Sequence, residues 1–181
     1  QAFRRLKQDV RDPHFAFSVR CTIPAPDVIN VFTDGSWLSP LKQYLGLGGA
    51  GVWWPNRDLQ RHFLSEAEDD LAYAVAQDGG VRLFTKIGGY NGSSTRAELG
   101  AGIVAIVSHG PVHIGSDSQV FVDKANDIIR SIARGVSLVK PWALESDGDL
   151  WEHFYRAVSA KGHEAIKISK VKGHATAKHI D

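Results

Sequence analysis

The stretch that most constrains the fold is residues 28–37, VINVFTDGSW, an apolar run that ends in an acid, Asp34. A near-continuous apolar run of this kind is typical of a strand buried on both faces. Two more acids occupy comparable places. Glu98 stands in SSTRAEL at the head of an apolar helical pattern, and Asp117 stands in IGSDSQ at the end of a second short apolar run. We therefore expect the fold to bring these three carboxylates together.

Composition describes one ordinary globular domain. The 181 residues are 43% hydrophobic, enough for a single domain with its own core. Formal net charge is only +1, so any contact with nucleic acid must come from a local basic surface. Cys21 is the only cysteine, which excludes an internal disulfide and a multi-cysteine zinc site. No apolar run approaches the ~20 residues of a membrane span, so we expect a soluble intracellular protein, cytoplasmic or nuclear.

Apolar periodicity and turn residues predict a mixed α/β sheet flanked by helices. In chain order the predicted elements are a strand from residue 28 that ends by residue 40, strands over 44–54 and 81–87, a helix over 94–108, a strand over 112–116, helices over 119–134 and 149–162, and a last strand over 165–171. The polar, acidic stretch 56–77 is predicted to be a loop with a possible short helix or strand.

The order of these elements also predicts the strand directions. The first three strands follow one another through turns and form an antiparallel meander. A crossover helix separates strand 112–116 from the meander, so we expect that strand to pair parallel to the first one. Asp34 and Asp117 then lie on adjacent strands, near the ends where open α/β sheets place their ligands.

Residues 1–27 differ in character from the rest of the chain. They begin basic and contain Pro13, Pro24 and Pro26. We interpret them as an extension or linker ahead of a domain that spans 28–181. The alternative interpretation is a basic arm that touches a phosphate backbone.

Each of the three acids also has a purely structural interpretation. Asp34 and Gly35 could form a turn, since Asp-Gly is a common turn pair. Thr95 and Glu98 fit the spacing of a capping box at a helix start. Asp117 could be the N-cap of the helix after it. Three independent caps and turns have no reason to converge in space, whereas the predicted topology brings all three acids to one place.

Carboxylates that converge repel one another, which raises their proton affinity unless a cation neutralises them. A ligand set of oxygens, with neither cysteine nor clustered histidine, favours Mg²⁺, with Mn²⁺ as a substitute. Two such ions can activate a water molecule and stabilise the leaving oxygen of a phosphodiester. The residues alone therefore point to metal-dependent phosphodiester chemistry.

Five motifs in order resemble those of ribonuclease H, the type I fold, and specifically its retroelement-like branch: TDGS (33–36), TRAEL (95–99), SDSQ (116–119), DLW (149–151) and VKGHAT (171–176). The resemblance runs from residue 28 to the C-terminus. It implies a mixed five-stranded sheet and an endonuclease that hydrolyses the RNA strand of RNA–DNA hybrids by two-metal-ion in-line attack, leaving 5′-phosphates. It also implies two partners, the hybrid itself and an upstream reverse transcriptase domain in a longer polyprotein.

The same resemblance assigns roles to individual residues. Asp34, Glu98 and Asp117 match the catalytic, metal-binding carboxylates. His174 matches a loop histidine that assists proton transfer or product release; the alternative is an ordinary solvated histidine. Five further positions match contacts to the hybrid: Gly35, Ser36, Ser94, Thr95 and Gln119. Ser94 and Thr95 stand where the family usually has asparagines, and their hydroxyls can still bond a 2′-hydroxyl.

Two departures from the family predict weaker binding of metal and substrate. The family has a fourth metal-binding Asp on a last helix, whereas here the sequence ends at Asp181, seven residues after His174. We expect that helix to be missing and Asp181 to be a loop residue. The basic protrusion of some members is reduced to residues 136–148, in which Lys140 is the only base.

A further set of lysines near the C-terminus suggests a track for phosphates, although about half of them fit an ordinary strand and loop surface. The set is Lys161, Lys167, Lys170, Lys172 and Lys178. The alternative function is a non-catalytic ribonuclease H-like module that binds nucleic acid or a protein. Its weakness is that a scaffold has no need of converging acids.

Overall fold

The computed structural model describes residues 20–38, 47–75, 77, 80–87, 93–136 and 141–173. Its strands are β1 (Val31–Leu38), β2 (Leu47–Trp54), β3 (Ala72–Val75), β4 (Val81–Ile87), β5 (Val112–Ser116) and β6 (Ile166–Lys170). Its α-helices are α1 (Glu66–Asp69), α2 (Ser94–Val107), α3 (Gln119–Ala133) and α4 (Gly148–Lys161). Short 3₁₀ turns lie at Trp142–Leu144 and His163–Ala165. Within these ranges no helix combines the length and apolar character needed to cross a membrane.

The six strands form one sheet in the order β3-β4-β2-β1-β5-β6. The pairs β1/β2, β2/β4 and β3/β4 are antiparallel, and the pairs β1/β5 and β5/β6 are parallel. This confirms the predicted mixed α/β sheet, with its meander and its parallel strands. The predicted count of five was one short: β3 adds a sixth strand at the sheet edge. It lies with α1 inside the stretch 56–77, which therefore contains both a short helix and a strand.

The register between β1 and β5 confirms the predicted placement of two acids. Val31, Phe32 and Thr33 pair with Ile114, Gly115 and Ser116. Asp34 and Asp117 are the next residues along these two neighbouring parallel strands. The two acids consequently leave the β1–β5 ladder at the same edge of the sheet.

Helix α2 is the centre of the core. Its residues from Arg96 to Val107 are all buried, because the sheet lies on one side of the helix and α4 on another. Two glycines allow this close packing: a Cβ on Gly100 would lie 2.3 Å from the side chain of Ile87, and one on Gly102 would lie 2.3 Å from the ring of Phe121. A helix that is apolar on every side needs such enclosure to be stable.

Three aromatic rings complete the core between α3 and α4. The ring centroids of Phe121 and Phe154 lie 6.0 Å apart at 88°, and those of Trp151 and Phe154 lie 5.5 Å apart at 73°. Edge-to-face pairs at such distances are favourable beyond the apolar area they bury. They pack the first turn of α3 against the first half of α4.

The loop after β2 is held by a buried ion pair. Arg57 donates two hydrogen bonds to the carboxylate of Glu68, at 2.6 and 2.9 Å. It also donates to the carbonyl oxygens of His62 and Phe63, at 3.1 and 3.2 Å. The side chains of Arg57 and Glu68 are 3% and 0% exposed. The pair thus links Arg57, directly after β2, to helix α1 and to the backbone of the loop between them.

The segment ahead of β1 is bonded to the C-terminal end of α4 and to the 3₁₀ turn after it. The amide of Cys21 donates to the carbonyl of Lys161 at 2.8 Å, and that of Ala25 donates to the carbonyl of Glu164 at 2.9 Å. Residues 21 and 25 of the predicted extension thus form backbone hydrogen bonds with the domain. Residues 1–19 lie outside the described part, and the domain boundary at residue 28 stays a prediction.

Candidate metal centre

Asp34 projects from the middle of a strand. The alternation along β1 buries Val31 and Thr33 and exposes Asp34. The strand continues beyond it to Leu38, and Asp34 pairs with Gly51 of β2. Asp34 and Gly35 are therefore not a turn, and the structural interpretation of this acid was wrong.

Gly35 brings β1 against the start of α2. A Cβ at this position would lie 2.4 Å from the amide nitrogen of Glu98 and 2.7 Å from the carbonyl carbon of Ala97. Both are backbone atoms, so only glycine allows the helix to approach this closely. The approach lets the Gly35 amide donate a 2.8 Å hydrogen bond to Oε1 of Glu98.

Glu98 is not part of a capping box. The N-cap of α2 is Ser93, whose hydroxyl accepts a hydrogen bond from the amide of Arg96 at 3.0 Å. Glu98 lies deeper in the helix and is 6% exposed. Besides the bond from Gly35, its carboxylate accepts one from the hydroxyl of Ser116 at 3.4 Å. Its side chain thus points between the middle of β1 and the end of β5.

Asp117 is not the cap of α3. That cap is Ser118, whose hydroxyl accepts from the amide of Phe121 at 3.3 Å. Asp117 follows β5 directly and is partly buried. The third structural interpretation therefore fails like the first two.

The three acids converge as predicted. One carboxylate oxygen from each of Asp34, Glu98 and Asp117 lies within 4.8 Å of the other two. In the described part of the chain, this is the one group of three or more acidic, His or Cys side chains placed to share an ion.

The burial of Glu98 and the repulsion among the three carboxylates favour binding of a cation. Burial raises the pKa of Glu98 to about 7, and the charges of Asp117 and Asp34 add to the rise. The hydrogen bond from Gly35 acts in the opposite direction and does not outweigh burial. A ligand set made only of carboxylate oxygens suits Mg²⁺ or Mn²⁺. The residues present therefore fit the predicted metal.

Comparison with known proteins decides the fold. No protein-family model and no curated protein matches the chain. The crystal structure of LC9-RNase H1, a type 1 RNase H with the type 2 active-site motif, matches 87% of this chain and 68% of its own, with TM-score 0.50 and 21% identity. The chain has a ribonuclease H-like fold. The predicted resemblance is thereby confirmed at the level of the fold.

Two further solved structures are similar to the chain. The solution structure of the PFV RNase H domain matches 82% of this chain and 84% of its own, with TM-score 0.47 and 20% identity. The foamy viral protease-reverse transcriptase, solved in complex with dsDNA, matches 82% of this chain and 83% of its own, with TM-score 0.48 and 18% identity.

The substrate-binding residues predicted from the ribonuclease H resemblance lie close in sequence to the three acids. Gly35 and Ser36 follow Asp34 on β1, Ser94 and Thr95 form the first turn of α2, and Gln119 is the first residue of α3. Ser36, Ser94 and Gln119 are exposed, and Thr95 is partly exposed. Their roles stay predictions, as does that of His174, which lies outside the described residues together with Asp181, Lys140 and Lys178.

One cluster near the start of α2 had no predicted role. Arg96 donates to Asp149 at 2.6 and 2.8 Å and to Asp147 at 3.2 Å. The bond from Arg96 lowers the pKa of Asp149. This cluster ties the start of α2 to the start of α4 and lines a cavity of about 710 Å³. The sequence contained a signal for this cluster, since Arg96 belongs to the TRAEL motif and Asp149 to the DLW motif.

The lysine track needs a correction. Lys161 is 0% exposed, and its ammonium donates to the carbonyl of Ser108 at 2.5 Å, so it cannot reach a phosphate. Lys170 is exposed, but its ammonium donates to the main-chain carbonyl of Asp117. Lys167 contacts Asp27 at 3.4 Å. Two of the proposed phosphate contacts are therefore engaged within the protein, and a third cannot leave its core.

Proposed function

We propose that this chain is a metal-dependent endonuclease that hydrolyses the RNA strand of RNA–DNA hybrids and leaves 5′-phosphates. The observation that carries the proposal is the meeting of three carboxylate oxygens within 4.8 Å, two of them from the residues that directly follow the β1–β5 ladder. A buried carboxylate with a pKa near 7 is costly to maintain unless a cation shares it. The ribonuclease H-like fold and the order of the five motifs support this choice among metal-dependent reactions.

Asp34, Glu98 and Asp117 would hold Mg²⁺. When bound, Mg²⁺ lowers the pKa of water and neutralises charge on a phosphodiester, the chemistry of two-metal in-line displacement. The chain's own contribution is orientation. Gly35 on β1 and Ser116 on β5 each donate a hydrogen bond to the Glu98 carboxylate. The side chain is therefore already ordered before an ion binds, and ion binding costs little additional conformational entropy.

Recognition of the hybrid falls to the residues around the acids. The hydroxyls of Ser94 and Thr95 and the amide of Gln119 can bond the 2′-hydroxyls that distinguish RNA from DNA. His174 would carry a proton to or from the reacting oxygens. Retroelement membership, with a reverse transcriptase upstream, is part of this proposal and rests on the motifs.

The test is strand-specific cleavage. A hybrid labelled on either strand, a DNA duplex and an RNA duplex are each incubated with the chain and Mg²⁺ or Mn²⁺. We expect cleavage of RNA in the hybrid alone. D34N should abolish cleavage while binding of the hybrid persists, because the substitution removes a ligand charge from an exposed side chain. The matched control is D127N, on the exposed face of α3, which should cleave like the wild type.

Two results would contradict the proposal. Cleavage that survives D34N removes Asp34 from the metal site. Hybrid binding without any cleavage in either metal favours the non-catalytic module.

A further inference from the structure

Two of the three acids are held in different ways. Glu98 is anchored through its carboxylate by the Gly35 amide and the Ser116 hydroxyl. The carboxylate of Asp117 accepts no hydrogen bond from the described residues. Its position must therefore come from its backbone and from whatever packs against it.

The backbone of Asp117 is held from β6. In the parallel register Ser116 pairs with Lys170, and the amide of Val171 donates to the carbonyl of Ser116 at 3.0 Å. The ammonium of Lys170 donates to the next carbonyl, that of Asp117 itself. Two successive carbonyls at the end of β5 are thus bonded by two successive residues of the neighbouring chain segment.

Gly173 packs directly on the carboxylate. A Cβ at this position would lie 2.2 Å from Oδ2 of Asp117 and 3.0 Å from both Cβ and Cγ. The φ angle of Gly173 lies outside the left-handed region, so the position does not need glycine for its backbone. A larger residue at this position would instead need the space that Oδ2 of Asp117 occupies.

We propose that the segment 170–173 is a positioning element for Asp117, in which Lys170 fixes the main chain and Gly173 limits where the carboxylate can lie. The inference rests on the proposed function to the extent that Asp117 is a metal ligand. It assigns Lys170 to the site itself and not to a phosphate track. Groups that orient metal ligands typically change metal affinity by about 10- to 100-fold when they are removed.

The test is Mn²⁺ affinity, measured by calorimetry or by the spectrum of the free ion, without nucleic acid. G173A should bind Mn²⁺ about 10-fold or more weakly, because the new methyl group displaces the Asp117 oxygen. K170M should weaken Mn²⁺ binding in the same direction. K170R should restore it, since a guanidinium can still donate to the carbonyl.

Two matched controls separate positioning from a general loss of stability. K167M removes an exposed lysine of the same strand, which contacts Asp27 and not an acid of the site. G135A places a side chain at a φ of 64° with no atom within 4 Å of its Cβ, so it lowers the thermal midpoint without touching the site. Neither should change Mn²⁺ affinity.

The outcomes separate this inference from the proposed activity. Wild-type affinity in both G173A and K170M overturns the inference. If K170M binds Mn²⁺ like the wild type but has a raised KM for hybrid, Lys170 contacts phosphate and does not position Asp117. If the wild type binds Mn²⁺, the variants bind it weakly and no protein cleaves hybrid, positioning stands and the proposed activity falls. A wild type without Mn²⁺ affinity overturns both.

Discussion

The main-chain amide of Gly35 donates a 2.8 Å hydrogen bond to the carboxylate of Glu98, across 63 residues of sequence. This contact links β1 to α2 and holds the one buried acid of the site. It requires a residue without a side chain on the strand and a carboxylate five positions after the helix cap at Ser93. The metal centre therefore depends on backbone geometry as much as on its acids.

The first prediction concerns this close approach. G35A should destabilise the protein by roughly 1–3 kcal/mol, because its Cβ would lie 2.4 Å from the backbone nitrogen of Glu98 and neither backbone can yield easily. The helix would move away from β1, so metal affinity should fall as well. Urea unfolding gives the first quantity and Mn²⁺ titration the second.

The matched control for G35A is G51A. Gly51 pairs with Asp34 from the neighbouring strand, but the nearest atom to its added Cβ would be the Asp34 carbonyl oxygen at 3.7 Å, an ordinary contact. G51A should keep wild-type stability and Mn²⁺ affinity. If G51A lost as much stability and Mn²⁺ affinity as G35A, the cause would be a side chain added to these strands and not the close approach of α2 to Gly35.

The second prediction is a pH dependence of the metal-free protein. Burial raises the pKa of Glu98 from 4.5 to about 7, so the folded state prefers the protonated carboxyl. The stability it contributes is complete below pH 4.5 and is lost as pH rises to about 7. The loss is roughly 3 kcal/mol, since each pKa unit corresponds to about 1.4 kcal/mol.

The measurement is the difference in unfolding free energy between the wild type and E98Q at pH 5 and pH 8 in EDTA. The wild type should lose stability relative to E98Q across this range, because glutamine does not titrate. Mg²⁺ should restore the wild type at pH 8 and leave E98Q nearly unchanged. A difference that does not vary with pH would show that Glu98 titrates like an exposed acid.

The convergence of the acids could be predicted from the sequence because each acid stands in a short, recognisable local pattern. An apolar run that ends in an acid, repeated at Asp34 and Asp117, indicated two neighbouring strands, and a single crossover helix predicted their parallel pairing. The cap of α2 was harder to predict, since Ser93, Ser94 and Thr95 all carry a suitable hydroxyl. In the structure Ser93 is the cap, which leaves Glu98 deeper in the helix and free to face the site.

Other features depend on contacts distant in sequence. The strand β3 has four residues in an acidic stretch, too few for a clear alternation. Lys161 was assigned to the phosphate track because of its charge. Its helical spacing instead puts it on the apolar face with Phe154, Ala157 and Val158. That periodicity was the available signal for a buried lysine.

The third prediction concerns the buried pair after β2. R57M or E68Q should each lower the free energy of unfolding by about 3–5 kcal/mol, because either leaves a charged group buried without its partner. The control is the exposed pair Arg61–Asp58, whose side chains are 84% and 52% exposed. R61A should cost less than about 1 kcal/mol. Similar losses in the two pairs would place Arg57 and Glu68 in solvent.

The last prediction concerns Lys161, where the pH dependence has the opposite sign. Burial lowers the pKa of this lysine from 10.5 to about 8, although Cys21 and Glu68 favour its charge. Below pH 8 the folded and unfolded states both carry the proton, and the cost of burying it is complete. Between pH 8 and 10.5 the folded state releases the proton first, so stability should rise by roughly 3 kcal/mol.

K161M should lack this rise, because methionine fills the same space without a titrating group. The measurement is the difference in unfolding free energy between wild type and K161M at pH 7.5 and pH 10, with K167M as the exposed control. The wild type should gain on K161M across this range, whereas K167M should follow the wild type. A constant difference would mean that Lys161 keeps its proton inside the core, and that the Ser108 carbonyl and Glu68 compensate for its burial.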